Sequence, residues 1–217
     1  MNRILPMIAV AAVAALGGAF YMSQNQGSVP GVSLAVAQDA DVVPAKDMVL
    51  GDENAPVTVI EYASYTCPHC ANWHEDSFKQ LKKDYIDTGK VKFIHREVYF
   101  DRFGLWAGMI ARCGGDERYF GLNDMIYSGQ KEWIGEGDPA TILENLRKIG
   151  RTAGMTNEEM EVCLTDESFA QSLVAAYQQN ATADEIRATP TFVINGEKLS
   201  NMSYADFAAA IDAQLEQ

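Results

Sequence analysis

Apolar positions in this chain follow two spacings, and the change from one to the other outlines its architecture. From Val57 to Ser64 apolar and β-branched residues run almost unbroken, which predicts a strand covered on both faces. A polar turn, Tyr65-Thr66, follows. Cys70, Trp73, Phe78, Leu81 and Tyr85 then stripe one face of a helix over about Cys67–Tyr85, with Thr66 as its candidate N-cap. Gly89 closes that helix and Val91–Val98 reads as a second strand, so strand, helix and strand form a parallel crossover. Met48-Val49-Leu50 is short enough for an edge strand.

From Asp101 to about Asn180 the strand pattern disappears. Helical spacing recurs in Leu105, Trp106, Met109, Ile110 and Cys113, in Phe120, Met125 and Ile126, and in Ile142, Leu143, Leu146 and Ile149. Asp138-Pro139 is an N-cap followed by a first-turn proline, and Thr156 to Glu159 is a capping box. Thr165 is the expected cap of a long helix carrying Phe169, Leu173 and Tyr177. Alternation returns in Thr191–Ile194, and Asn195-Gly196 predicts a hairpin into a strand through Lys198. A last helix, capped at Ser203, buries Phe207, Ile211 and Leu215. The class is α/β, with a core over 46–100 and 185–217 interrupted by a helical subdomain over 101–184.

The N-terminus changes this picture. Arg3 precedes an apolar run from Ile4 through Phe20, with no acidic residue before Asp39, which is the pattern of an export signal. Ala35-Val36-Ala37 fits the small-residue cleavage rule and would make residues 1–37 the removed segment, although it lies well beyond the apolar run. The run, about seventeen to nineteen residues, also reaches the lower edge of what spans a bilayer. The alternative is an uncleaved anchor over residues 4–22, with Ser23–Asp47 as its tether. The formal charge of −13 argues against nucleic acid as a partner.

The candidate chemistry lies where the first strand enters its helix, in Cys67-Pro68-His69-Cys70. A cysteine at a helix N-terminus meets unpaired N–H groups and the positive end of the dipole, which favour the thiolate, and Cys70 lies one turn on. His69, between the cysteines, can donate to the Cys67 sulfur or, when charged, favour the thiolate. A zinc site would have to recruit Cys113 and Cys163, which lack a second C-x-x-C, and no cluster of histidines or carboxylates shows ligand spacing, so neither metal nor cofactor is expected. In an oxidising compartment the even cysteine count favours a Cys113–Cys163 disulfide; two buried thiols are the alternative. Glu61 interrupts the apolar strand. It either reaches a backbone donor or the surface, or it stays buried with a raised pKa and moves protons for Cys70. Trp73 reads as packing, His74 as rim and His95 as a strand-edge residue. Pro190, in Ala188-Thr189-Pro190-Thr191-Phe192-Val193-Ile194-Asn195-Gly196, sits at a strand entry, where a missing N–H or a cis bond is tolerated.

Together, Ser64-Tyr65-Thr66-Cys67-Pro68-His69-Cys70 and Ala188-Thr189-Pro190-Thr191-Phe192-Val193 resemble the thioredoxin-fold thiol oxidases of the bacterial periplasm, the DsbA group. The resemblance covers roughly 46–217. It implies a thioredoxin-like fold with an inserted helical subdomain and an oxidase donating a Cys67–Cys70 disulfide to exported proteins. It also implies an acidic residue six positions before the first cysteine, matched by Glu61, and Thr189 and Pro190 facing the cysteines. A quinone-linked membrane partner for reoxidation is implied as well. The alternatives are an isomerase or reductase, or a binding or chaperone module whose cysteines are structural.

Overall fold

The computed structural model describes residues 42–217, so the export-signal or anchor segment lies outside the described residues. Five strands form one sheet in the order β1-β3-β2-β4-β5. They are β1 (Met48–Leu50), β2 (Val57–Ala63), β3 (Val91–Glu97), β4 (Thr191–Ile194) and β5 (Glu197–Ser200). β2 pairs in parallel with β3 and antiparallel with β4, while β1 pairs antiparallel with β3 and β5 with β4. β2 is therefore central, as its unbroken apolar run requires, and β1 is the expected edge.

Helix α1 carries the chain from β2 to β3. It starts as Pro68–Trp73, passes through a π-helical turn at His74–Phe78 and a short α segment at Lys79–Leu81, and ends in a second π turn at Lys82–Ile86. Six helices occupy the interval between β3 and β4: α2 (Arg102–Cys113), α3 (Asp116–Ser128), α4 (Gln130–Ile134), α5 (Pro139–Thr152), α6 (Asn157–Thr165) and α7 (Glu167–Ala183). Helix α8 (Tyr204–Leu215) closes the chain. Among the described residues no helix is long and apolar enough to cross a membrane.

Among the described residues, the two largest of three apolar clusters hold these layers. Val57, Val59, Phe93 and Phe192 from the sheet pack with Trp73, Phe78 and Leu81 of α1 and with Phe207 and Ile211 of α8. Ile110, Leu122, Ile126, Trp133, Ile142 and Leu146 build the helical cluster, which also takes in Tyr65 and Cys70. The turn carrying Cys67-Pro68-His69-Cys70 thus reaches into the second core.

Local signals placed most boundaries. Asp138 caps α5 ahead of Pro139, Thr156 and Glu159 form the capping box of α6, and Ser203 caps α8. Asn195 and Gly196 both adopt positive φ, +46° and +89°, the geometry of a two-residue hairpin that matches strand twist. Two caps differ from expectation. The N-cap of α7 is Asp166, not Thr165, whose hydroxyl instead donates to Glu161 O one turn back in α6. The N-cap of α1 is Cys67 itself, because the Thr66 hydroxyl is drawn away to Asp101 at 2.7 Å. His95 is also not at an edge. β3 lies between β1 and β2, and His95 is fully buried.

Candidate active site

Cys67 ends the turn that leaves β2, with extended backbone (φ −85°, ψ 118°), and Pro68 occupies the first turn of α1. Both long-range and local contacts hold this turn. The Cys67 N–H donates to Ser64 O at 3.1 Å, and the amide of buried Gln130, at the start of α4, donates to Tyr65 O at 2.8 Å and Cys67 O at 3.0 Å. Ser64, Thr66 and Asp101 continue the hold on the other side, since Asp101 also caps α2. Gln130 had no sequence signal, because its partners lie far away in the chain.

The two thiols differ sharply. Cys67 is half-buried and Cys70 fully buried, and both are free. The Cys67 thiol falls to about 5: hydrogen bonding from Cys70 lowers it, burial opposes, and the Thr189 side chain and the N–H groups of Cys70 and His69 lower it further. Burial, the Cys67 sulfur and the charge of Glu61 push Cys70 far up. At neutral pH Cys67 is therefore a thiolate and Cys70 its thiol donor. His69 contributes its backbone N–H while its side chain stands exposed, as does Pro68.

Thr189 reaches the same sulfur from the far end of the core. Its carbonyl oxygen lies 3.5 Å from Cys67 Sγ and accepts from the thiol when that is protonated, whereas its hydroxyl favours the thiolate. The Thr189–Pro190 peptide is cis and leads directly into β4. Away from this site, Cys113 and Cys163 are joined in a disulfide, Cα–Cα 6.0 Å, tying the end of α2 to α6.

Beneath Cys70 lies a second cluster. Glu61 is fully buried and its Oε2 is 2.8 Å from His74 Nε2. Burial raises its carboxyl to about 8, against the pull of His95 and with a push from Cys67. His74 is 1% exposed, so the rim assignment is wrong; it stacks on Tyr127 at 4.0 Å between ring centroids. The signal was present, since Cys70 and His74 at i, i+4 share a helix face. Burial lowers His74 to about 3, against the field of Asp124, and His95 to about 4, so both rings are neutral.

Hydrogen-bond direction settles the His95 tautomer. Glu97 receives two bonds from Arg112, at 2.7 and 2.6 Å, and remains ionised although buried. Tyr119 donates its hydroxyl proton to Glu97 at 2.8 Å, so toward His95 Nδ1, at 2.7 Å, it can only accept. His95 thus carries its proton on Nδ1, and Nε2 accepts from Tyr127 at 3.2 Å. Glu61, His74 and His95 bring ligand-type atoms within 4.8 Å of one another, a convergence that the sequence spacing did not suggest. The Glu61–His74 bond and the two tyrosines already engage these groups, which makes the cluster a hydrogen-bonded network.

A parallel-antiparallel sheet, a helix started by C-x-x-C and a cis-proline loop against the first sulfur define a thiol–disulfide oxidoreductase of thioredoxin fold. The family model described as Thioredoxin matches residues 44–213. A Rickettsia bellii protein named as a protein-disulfide oxidoreductase is 36% identical over 176 residues, 81% of this chain and 67% of that one. Disulfide bond formation protein D of Bacillus subtilis is 29% identical over 180 residues, 77% of each. The crystal structure of Wolbachia pipientis alpha-DsbA1 superposes with a TM-score of 0.72 at 30% identity, covering 80% of this chain and 93% of that chain. The chain spans about two thirds of the length of the Rickettsia relatives, 67% and 62% for two of them. It belongs to the thioredoxin family, among its DsbA-like disulfide oxidoreductases.

Proposed function

We propose that the protein works as an oxidase, giving a Cys67–Cys70 disulfide to thiols of proteins exported from the cytoplasm. The observation that carries this is the contrast between the cysteines: a half-buried sulfur at the helix N-terminus, met by two backbone N–H groups, the Thr189 hydroxyl and the Cys70 thiol, against a fully buried one. Stabilising the Cys67 thiolate makes it the better leaving group and favours the reduced enzyme, so the disulfide tends to be given away. A substrate thiolate attacks Cys67 and Cys70 leaves. A second substrate thiol then attacks the substrate sulfur, and Cys67 leaves as thiolate. Glu61 is the proton partner of Cys70. Thr189 and Pro190 align an extended substrate strand beside Cys67, and Pro68 and His69 shape the exposed face of the site. A quinone-linked membrane protein would restore the disulfide, and residues 1–37 or 4–22 would carry the chain to, or hold it at, the outer face of the membrane. In this reading the Cys113–Cys163 bridge is structural.

Equilibration of the full chain with glutathione mixtures of known ratio tests the direction. An oxidase keeps the Cys67–Cys70 pair reduced at ratios where the glutathione couple itself is strongly oxidised. A pair that stays oxidised under reducing glutathione would support the reductase alternative, and a pair that never exchanges would support a structural role.

A further inference from the structure

Two buried polar atoms without a hydrogen-bond partner among the described residues belong to one hydrogen-bonded pair. They are Glu61 Oε1 and His74 Nδ1, and the pair is closed by Oε2 and Nε2 at 2.8 Å. Both residues are 0–1% exposed, and a buried donor or acceptor left unmade is costly, so the two open atoms call for a partner or a role. Their open atoms are the two ends of the path Oε1, carboxyl, Oε2, Nε2, imidazole, Nδ1. Cys70 and His74 lie one turn apart on the same face of α1, the Cys67 charge raises Glu61, and an ionised Glu61 would raise Cys70. His74 also opens the π-helical turn of α1, a backbone irregularity often found at functional positions.

We propose that His74 is a positioning residue that completes a proton relay for Cys70: protons enter and leave the buried pair at Glu61 Oε1 and at His74 Nδ1. This deepens the proposed function and rests on Glu61 as the proton partner of Cys70. In the dithiol form Glu61 carries its proton on Oε2, donated to His74 Nε2, and His74 holds the Nδ1–H tautomer. When Cys70 must become a thiolate, Oε1 takes its proton, the Oε2 proton passes to Nε2, and the Nδ1 proton passes to water. One proton enters and one leaves, and Glu61 is neutral before and after. The disulfide form therefore keeps the proton on Oε1 and the Nε2–H tautomer of His74. When a substrate thiolate breaks the Cys67–Cys70 bond, the Cys70 sulfur leaves with the electron pair and the same three transfers run backwards.

The electrostatic setting suits this traffic. Neither resting state leaves a carboxylate unpaired in the core, where an isolated charge would be far more costly than a neutral acid. The groups acting on the pair are Cys67 and Cys70 from α1, His95 from β3, and Tyr127 and the exposed Asp124 from α3. His95 does not compete for the role, because Tyr119 and Tyr127 hold both its nitrogens in one tautomer.

The decisive measurement is the ring-nitrogen spectrum of the full chain labelled with 15N-histidine, reduced by dithiothreitol and then oxidised by diamide. His74 should change from Nδ1–H in the dithiol form to Nε2–H in the disulfide form, while His95 stays Nδ1–H in both. An unchanged His74 tautomer overturns the relay. His74→Gln supplies a second reading, since an amide can bond Glu61 but cannot pass a proton through. In the folded variant, reduction of the Cys67–Cys70 disulfide by dithiothreitol at pH 7 should slow at least tenfold, in line with the lower end of about 10²- to 10⁴-fold for general acid–base catalysis attenuated by a retained Glu61. The pH midpoint for iodoacetamide alkylation of Cys67 should stay in place. A folded variant with the wild-type rate refutes the proposal; if the variant does not fold, the tautomers of the unaltered chain decide. A wild-type chain that fails to oxidise substrate thiols would remove the oxidase reading alone, because the two chemically prepared states still show whether His74 switches.

Discussion

Glu61 on β2 and Glu97 on β3 sit on paired strands and are buried to almost the same degree, 0% and 5% exposed, yet they hold protons in opposite ways. Burial raises both. For Glu97 the permanent charge of Arg112, delivered through a two-pronged hydrogen bond, outweighs it and brings the carboxyl below its ordinary value. Glu61 has only a neutral histidine, so burial wins and the carboxyl rises to about 8. The histidines follow their acids. The chain Tyr127 to His95 to Tyr119 to Glu97 fixes one tautomer of His95, while among the described residues His74 bonds Glu61 through Nε2 and has no partner at Nδ1. Partner charge, more than burial, decides which buried acid is scaffold and which can exchange protons.

The largest effect is expected from taking away the permanent charge. Arg112→Met leaves the Glu97 carboxylate buried without its cation and should cost about 3–5 kcal/mol in urea unfolding at pH 7. Adding Glu97→Gln should recover most of that loss, because the stranded charge goes with it. A small loss in the single variant would mean that Glu97 is neutral like Glu61, and the contrast would collapse.

Glu61→Gln addresses the other half through pH. A carboxyl raised in the folded state, from an ordinary 4.5 to about 8, binds a proton more tightly folded than unfolded. Its contribution is full below about pH 4.5 and is lost as pH rises through 8. Wild type should therefore lose on the order of a few kcal/mol relative to Glu61→Gln between those values. Parallel stability curves for the two proteins over that window would show that Glu61 is ionised in the fold.

A smaller effect should come from the link inside the rigid cluster. Tyr119→Phe removes a donor to an ionised acid and the acceptor for His95 Nδ1, a change worth about 1.5–3 kcal/mol. Chemical denaturation measures the loss, and ring-nitrogen spectra of His95 should show a second tautomer that wild type lacks. A His95 that keeps Nδ1–H in this variant would place its lock elsewhere.

Local physics made much of this molecule readable from its residues in order. The strand before the cysteines, the helix after them, the Asn195-Gly196 hairpin and the caps at Asp138, Thr156 and Ser203 depend on dihedral preference, side-chain period and bonds within four residues. The same reach sets Cys67 at a helix N-terminus one turn before Cys70, whose thiol is the largest cause of its acidity, with the N–H groups of Cys70 and His69 adding to it; the Thr189 side chain arrives only through the fold. Where such signals failed, a competitor lay nearby or across the fold: Asp166 beside Thr165, and Asp101 pulling Thr66 away from the cap. Tertiary structure alone decided the fate of the buried groups. Whether a glutamate in an apolar strand stays neutral or ionised depends on which side chain crosses to meet it. His74 reaches Glu61 from another element, Arg112 reaches Glu97 from α2, and Tyr119 reaches His95 from α3. Gln130 similarly comes from 63 residues away to hold the Cys67 carbonyl. No periodicity records such meetings, because desolvation and partner charge belong to the packed interior and exist only once the chain has folded around them.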